Sequence, residues 1–296
     1  MGATLSIHAR LVGTCLRDYR EAARLDLQDA ATVLGCDRSK VSRVESGERG
    51  ILPVDLSRLL DIYDADPDER QALLVLAGAD RSQGWWEQYR RILDPGYQDI
   101  LAAEHAATAI MIYAPLQVPE LLQSSELARA TAAADPGLPE GAEDLVASAT
   151  MARQHAVLND RGPRVDVVLG KTAIRSVPGH DGQQAQARHL QHLASSCPNL
   201  TIRILPVGTG TSVVGGCGSF TVLRFSSVPV PGIVLADSPA GVLYVDVPGA
   251  VAAYDRAHAA LWSLATDLPA APGRVIQTSA RSLPRRPGES PAAHHL

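Results

Sequence analysis

A chain of 296 residues with 46% hydrophobic and 20% charged side chains has the length for two domains and the apolar content to bury a core in each. Its net charge of −5 argues against indiscriminate coating of nucleic acid, and no apolar run reaches the ~18 residues of a membrane span. The opening MGATLSIHARLVG lacks the apolar core and cleavage site of a secretory signal, and Cys15, Cys36, Cys197 and Cys217 form no CxxC pair, so reduced, mostly buried thiols in the cytoplasm are expected.

In chain order, Leu11, Cys15, Leu16, Tyr19 and Ala23 trace a helical stripe over 11–24. Asp26, with Asp29 three residues on, reads as a capping box for a second helix near 27–34, which Gly35 ends in a left-handed turn. Asp37 is placed to cap a third helix that runs to Ser46 and stops at Gly47. Pro53 and Pro67 stand at first-turn positions of helices near 53–63 and 67–78. Residues 1–80 are therefore expected to form a compact all-α domain of five helices. It carries ten basic and fourteen acidic side chains, a balance of −4, with bases clustered at 38–49 and acids at 55–69.

ADRSQG at 79–84 marks a boundary. Residues 85–134 read as helical, broken by Pro95-Gly96 and by an elbow at Pro115 and Pro119, and another helix is expected at 140–159. Strands follow at 165–169, 201–207, 220–225, 232–237 and 242–247, with helices at 183–196 and 249–266. The second domain, 84–268, is thus expected to be α+β. Residues 269–296, rich in Pro, Ser, Arg and Gly, read as a disordered tail.

The stretch LDLQDAATVLGCDRSKVSRVESGER, residues 25–49, has the organisation of a helix-turn-helix. Ala30, Ala31, Leu34, Val41 and Val44 supply small and apolar groups where two helices touch. Arg38, Ser39, Ser42 and Arg43 are left on one exposed face. Arginine can bond bidentately to guanine, and serine can reach base edges or phosphates. Lys40 and Arg49 are better placed for phosphates, which position the protein without specifying sequence. The competing reading is a surface helix with solvated charges.

The same stretch, above all SKVSRVESGER, resembles the xenobiotic-response-element (XRE, lambda-repressor-like) family. The resemblance implies a lambda-repressor-like domain that binds double-stranded DNA as a homodimer on a near-palindromic operator. It also implies a structural pairing of Glu45 with Arg20. Where that family has a phosphate-contacting glutamine at the start of the second helix, this chain has Leu27, with Gln28 next to it as the substitute. GWWEQY at 84–89, Glu104, IYAPLQVPELLQSSELAR at 112–129, NLTIRILPVGTG and GSFTVLRF are similar to an uncharacterised domain that follows such a helix-turn-helix in many actinobacterial regulators. That similarity implies a regulator without naming its effector, and relatives often sit beside small partner proteins.

Trp85, Trp86, Tyr89, Tyr97, Glu104 and Tyr113 gather scarce aromatics near the start of the second domain. They read first as packing the two domains together, and otherwise as an apolar effector site or a protein interface. Enzyme signatures are poor. The glycine-rich GTGTSVVGGCG, 208–218, has no Walker lysine and reads as a hairpin loop. His189, His192 and Cys197 read as a solvated helix face rather than a metal site, and His180-Asp181 as part of a turn. No cofactor, metal or catalytic activity is expected. A transcriptional regulator controlled by a small molecule or a protein partner is the first expectation. An antitoxin-like or developmental interaction switch, acting mainly on a small protein, is the alternative.

Overall fold

A computed structural model describes residues 6–79, 84–209, 218–225, 232–238 and 241–271, together with 273 and 276. Five helices open the chain: α1 (Ile7–Ala22), α2 (Leu27–Leu34), α3 (Arg38–Glu45), α4 (Pro53–Ile62) and α5 (Pro67–Ala79). The helix α1 starts four residues before the expected stripe, because Ser6 caps it by accepting from the Ala9 amide. The capping box at α2 is present in both directions, with the Asp26 carboxylate accepting from the Gln28 and Asp29 amides and Asp29 from Asp26. Gly35 follows at φ +61, a conformation that side chains resist, and turns the chain into α3. Asp37 stands at the N-cap of α3 but makes no capping bond with its side chain, contrary to expectation.

The second domain begins with a short 3₁₀ turn, Trp85–Tyr89, and α6 (Pro95–Ala106). Between the expected breaks at Pro95-Gly96 and Pro115, where helix is expected, the chain then enters β1 (Ala109–Ala114), the central strand of the sheet. An irregular elbow and a second 3₁₀ turn, Glu120–Leu122, lead to α7 (Ser125–Ala133) and α8 (Glu143–Val157). Then follow β2 (Arg164–Gly170), α9 (Lys171–Arg175), α10 (His180–Ser196) and β3 (Leu200–Leu205). His180 and Asp181 form the first turn of α10 rather than a loop. The remainder is β4 (Phe220–Arg224), β5 (Ile233–Ser238), β6 (Gly241–Val245), α11 (Pro248–Leu264) and β7 (Thr266–Asp267).

The sheet order is β6-β5-β4-β1-β2-β3-β7. β1, β2 and β3 run parallel, and the other pairings are antiparallel. Because β1 and β2 separate β3 from β4, the glycine-rich connection cannot be the expected hairpin. Its residues 210–217 lie outside the described ones.

Helices cover both faces of the sheet. Ile110, Ile112, Val165, Val167, Leu169, Ile202 and Ile204 point to the side packed by α10. Tyr113, Val168, Phe220, Val222 and Val234 point to the side packed by α11. The first cluster continues through Ile100 and Ala103 of α6 into the five-helix core, so one apolar contact network joins the two domains. Arg10 of α1 adds an ion pair to Asp246, just past β6, at 3.1 Å. Of the expected tail, most lies outside the described residues. Its start is docked, with the Pro269 carbonyl accepting from Gln191 at 2.7 Å. Among the described residues, no helix is long and apolar enough to cross a membrane.

Candidate nucleic-acid interface

The helix α3 is presented by a rigid scaffold. Ala30 and Ala31 of α2 and Val41 of α3 are fully buried where the two helices meet, with Val44 nearly so and Leu34 packed at the edge. At Gly13 of α1, an added Cβ would lie 2.4 Å from the Val44 carbonyl oxygen, so backbones approach directly there. Arg20 donates from Nε and Nη2 to the two oxygens of Glu45 at 2.7 and 2.9 Å, and from Nη1 to the Leu25 carbonyl at 3.0 Å. This buried bidentate pair fixes the C-terminal end of α3 to α1. The hydrogen bond to Glu45 raises the Arg20 pKa, so the guanidinium stays charged.

With that face closed, the rest of α3 is open. Arg38, Ser39, Ser42 and Arg43 are all exposed. Arg38 with Ser42, and Ser39 with Arg43, form two adjacent i,i+4 rows on one surface. The Arg43 side chain is steadied by donating to the Ser39 carbonyl at 3.3 Å. Among the described residues, no carboxylate forms an ion pair with Arg38, Arg43 or Arg49. The structure thus brings together four base-reading candidates and, among the described residues, leaves the Arg38 and Arg43 charges outside any ion pair.

The three phosphate candidates differ. Arg49 is exposed in the turn after α3. Lys40 is half-buried and reaches Asp55 of α4 at 3.5 Å, so its charge is partly satisfied inside the domain. Gln28 presents an exposed side chain, but its backbone N–H already donates to the Asp26 carboxylate. Those backbone bonds hold the Asp26 carboxyl below its usual pKa, which keeps a negative charge at the mouth of α2. Leu27 packs toward the core. The start of α2 is therefore a poorer phosphate clamp than a glutamine there would make.

The second-domain candidates also divide. The 3₁₀ turn of Trp85–Tyr89 packs on α8, and buried Trp86 meets His105 of α6 edge-on. These residues serve their own domain, while the two domains meet through α6 against α1 and α5. Trp85 and Tyr97 line a cavity of about 240 Å³. Tyr97, Glu104 and Tyr113 line an adjoining one of about 340 Å³. Tyr89 sits beside Trp85, with ring centres 6.2 Å apart. Tyr113, on β1, stacks obliquely on Phe220. Burial pushes the Tyr97 hydroxyl pKa up strongly.

Sequence reasoning missed Arg153, the partner of Glu104. It lies 49 positions away on α8 and is nearly inaccessible. It also missed Glu120 and Asp237, which join it at the second cavity. No local spacing connects these residues. His189, expected on a solvated face, is instead partly buried and hydrogen-bonds Gln154 at 3.2 Å. Burial, and secondarily the nearby His192, lowers its pKa.

Residues 11–73 match the family model described as a helix-turn-helix domain. Residues 97–272 match the one described as a domain of unknown function (DUF5753). No curated protein and no solved structure matches the chain.

Proposed function

From the premise that the chain belongs to the DUF5753 family, with a helix-turn-helix domain in front, we propose that it is a sequence-specific transcriptional regulator of the XRE type, as found in actinobacteria. It acts in the cytoplasm as a non-catalytic homodimer on a near-palindromic operator. Its half-sites lie about one helical turn, ~34 Å, or a multiple of it apart. The observation that carries this reading is the α3 surface of Arg38, Ser39, Ser42 and Arg43, exposed on a helix whose opposite face is fully buried. Such a helix can enter the major groove while α2 crosses the backbone. The second domain dimerises the protein and favours one dimer geometry when an effector binds.

The acidic helical domain gives weak non-specific affinity and a modest dependence on salt. The test is selection of a binding site from random duplexes with the full chain, followed by titration of variants. Arg38→Ala or Arg43→Ala weakens the selected site by about 1–3 kcal/mol and relaxes specificity at one position. Unchanged affinity in both variants overturns the assignment of α3 as the reading helix.

A second reading, a switch that works mainly by holding a small basic protein, draws on exposed Val54 and Val75 on the acidic helices α4 and α5. A stable complex with such a protein that blocks no DNA site would favour it.

A further inference from the structure

The two cavities of the second domain abut, and Tyr97, Glu120, Gln123 and Thr131 stand in the walls of both. The smaller is mainly apolar, with Trp85, Leu93, Leu101, Val146 and Ala149 in its lining. That is the make-up of a small-molecule site, with few polar groups to fix orientation. Among the described residues its charged groups have one sign: Asp94, Glu120 and Asp135, with no Lys, Arg or His. The larger adds Glu104 and Asp237, and its one cation among the described residues is Arg153.

Arg153 is not available to an anion. Its Nε and Nη2 donate to the two oxygens of Glu104 at 2.9 and 2.5 Å. Its Nη1 donates to the Tyr97 hydroxyl at 2.7 Å and to Glu120 at 3.1 Å. An anionic ligand would have to displace carboxylates from a desolvated guanidinium, which is strongly unfavourable. A cation meets no such barrier: the bonds that Glu120 accepts from Arg153 and from the Tyr97 hydroxyl both fall on its Oε2, which leaves Oε1 to a ligand. The Glu120 side chain is 52% exposed, and among the described residues no cation pairs with Asp237. Burial and the neighbouring Glu120 charge both raise the Asp237 carboxyl pKa, and a bound cation would offset that repulsion.

We propose that the joined cavities bind a small organic cation, an amine carried on an apolar body, with the ammonium at Glu120 and Asp237 and the apolar part against Trp85 and Leu101. The walls also lead to the helical domain. Tyr97 and Leu101 are on α6, which packs against α1 and α5. Val242 of β6 lines the larger cavity, and Asp246, just past that strand, pairs with Arg10 of α1. Control of DNA binding by the cation rests on the regulator reading above; the binding itself does not.

The test uses the full chain and three probes of nearly equal shape: phenethylamine, neutral 2-phenylethanol and anionic phenylacetate. Tyramine and 3-phenylpropylamine serve as further amines. Calorimetric titration and the shift in Tm report binding. Phenethylamine binds at least about tenfold more tightly than the other two shapes, as one charge-assisted hydrogen bond implies. Glu120→Gln and Asp237→Asn keep the shape of the site, and each weakens the amine by about tenfold while the circular dichroism spectrum is unchanged.

Equal binding of the neutral or anionic probe, no binding by any of the three amines, or amine affinity unaltered in both variants overturns the proposal. Site selection on the same preparation separates the two readings. Amine binding with no selected DNA site removes the regulator and keeps the cavity; a selected site with no amine binding does the reverse.

Discussion

Replacing Glu45 by alanine tests whether α3 is held by the pair that Glu45 makes with Arg20. The Glu45 side chain is 3% exposed and that of Arg20 is 11% exposed. Two charge-assisted hydrogen bonds of 2.7 and 2.9 Å link them, and Arg17 approaches the same carboxylate at 3.8 Å. Glu45→Ala leaves the Arg20 guanidinium buried, with the Leu25 carbonyl as its hydrogen-bond acceptor and the exposed Glu21 carboxylate 3.6 Å away. Breaking a buried pair from one side costs about 3–5 kcal/mol, because the surviving charge stays desolvated.

The described helical domain, residues 6–79, has 74 residues. At roughly 0.05–0.15 kcal/mol per residue its total stability is about 4–11 kcal/mol. The variant should therefore lose between about a quarter and all of it, and DNA binding should fall with it. Arg20→Met combined with Glu45→Leu removes both charges and refills the space, so most of the loss should be recovered. Urea unfolding followed by circular dichroism gives the size of the effect. Amide exchange assigns it to α1 and α3 rather than to the second domain. A loss below about 1 kcal/mol, the worth of an exposed pair, would refute the bracing role. So would a double variant as unstable as the single one.

Two further predictions concern packing and pH. Gly13→Ala places a Cβ 2.4 Å from the Val44 carbonyl oxygen and 2.8 Å from that of Glu45. Since the obstacle is backbone, α1 and α3 must part, and a loss of about 1–3 kcal/mol is expected in urea unfolding; a neutral substitution would contradict the close crossing. His258 is buried, its ring stacks on Trp262, and its Nε2 meets no hydrogen-bond partner among the described residues. Burial holds its pKa below the ordinary 6.5, even though Asp166 and Asp255 oppose the shift. The folded state thus takes up this proton less readily than the unfolded one, so stability is full above pH 6.5 and falls as the pH drops from there through the folded-state pKa. His189 acts in the same direction. A Tm profile that declines below this point, and declines less in His258→Gln, is expected; a flat profile would be incompatible with a buried neutral imidazole.

What was legible in the sequence is what local chemistry determines. The helices α2 to α5 are bounded by residues whose conformational preferences act within a turn: Asp26 with Asp29, Gly35, Pro53 and Pro67. Asp37 shows the limit of that reasoning, since it occupies the cap position without making the bond. AIMIYA of β1 follows α6 and does not alternate between apolar and polar residues, so as sequence alone it carries no strand signal. The sheet explains why: β1 lies between β2 and β4 with both faces covered, so Ile112 and Tyr113 are both buried, and period-two patterning vanishes. The hairpin expected between β3 and β4 failed for a related reason, because strand order is decided by long-range pairing and not by the connecting residues.

The same division runs through the functional sites. The α3 surface is assembled within six consecutive positions, 38–43, so periodicity reveals it. The cavity draws on residues from Trp85 to Val242, and its central pair, Glu104 and Arg153, is joined only by the packing of α6 on α8. A ligand there would press on α6 and β6. Those elements also reach α1, through helix packing and through the ion pair of Asp246 with Arg10. The brace of Glu45 on Arg20 then carries α1 to α3. Each link is a buried contact or a paired charge, and a change in the cavity that shifts α6 must be accommodated by α1, against which α3 is fixed.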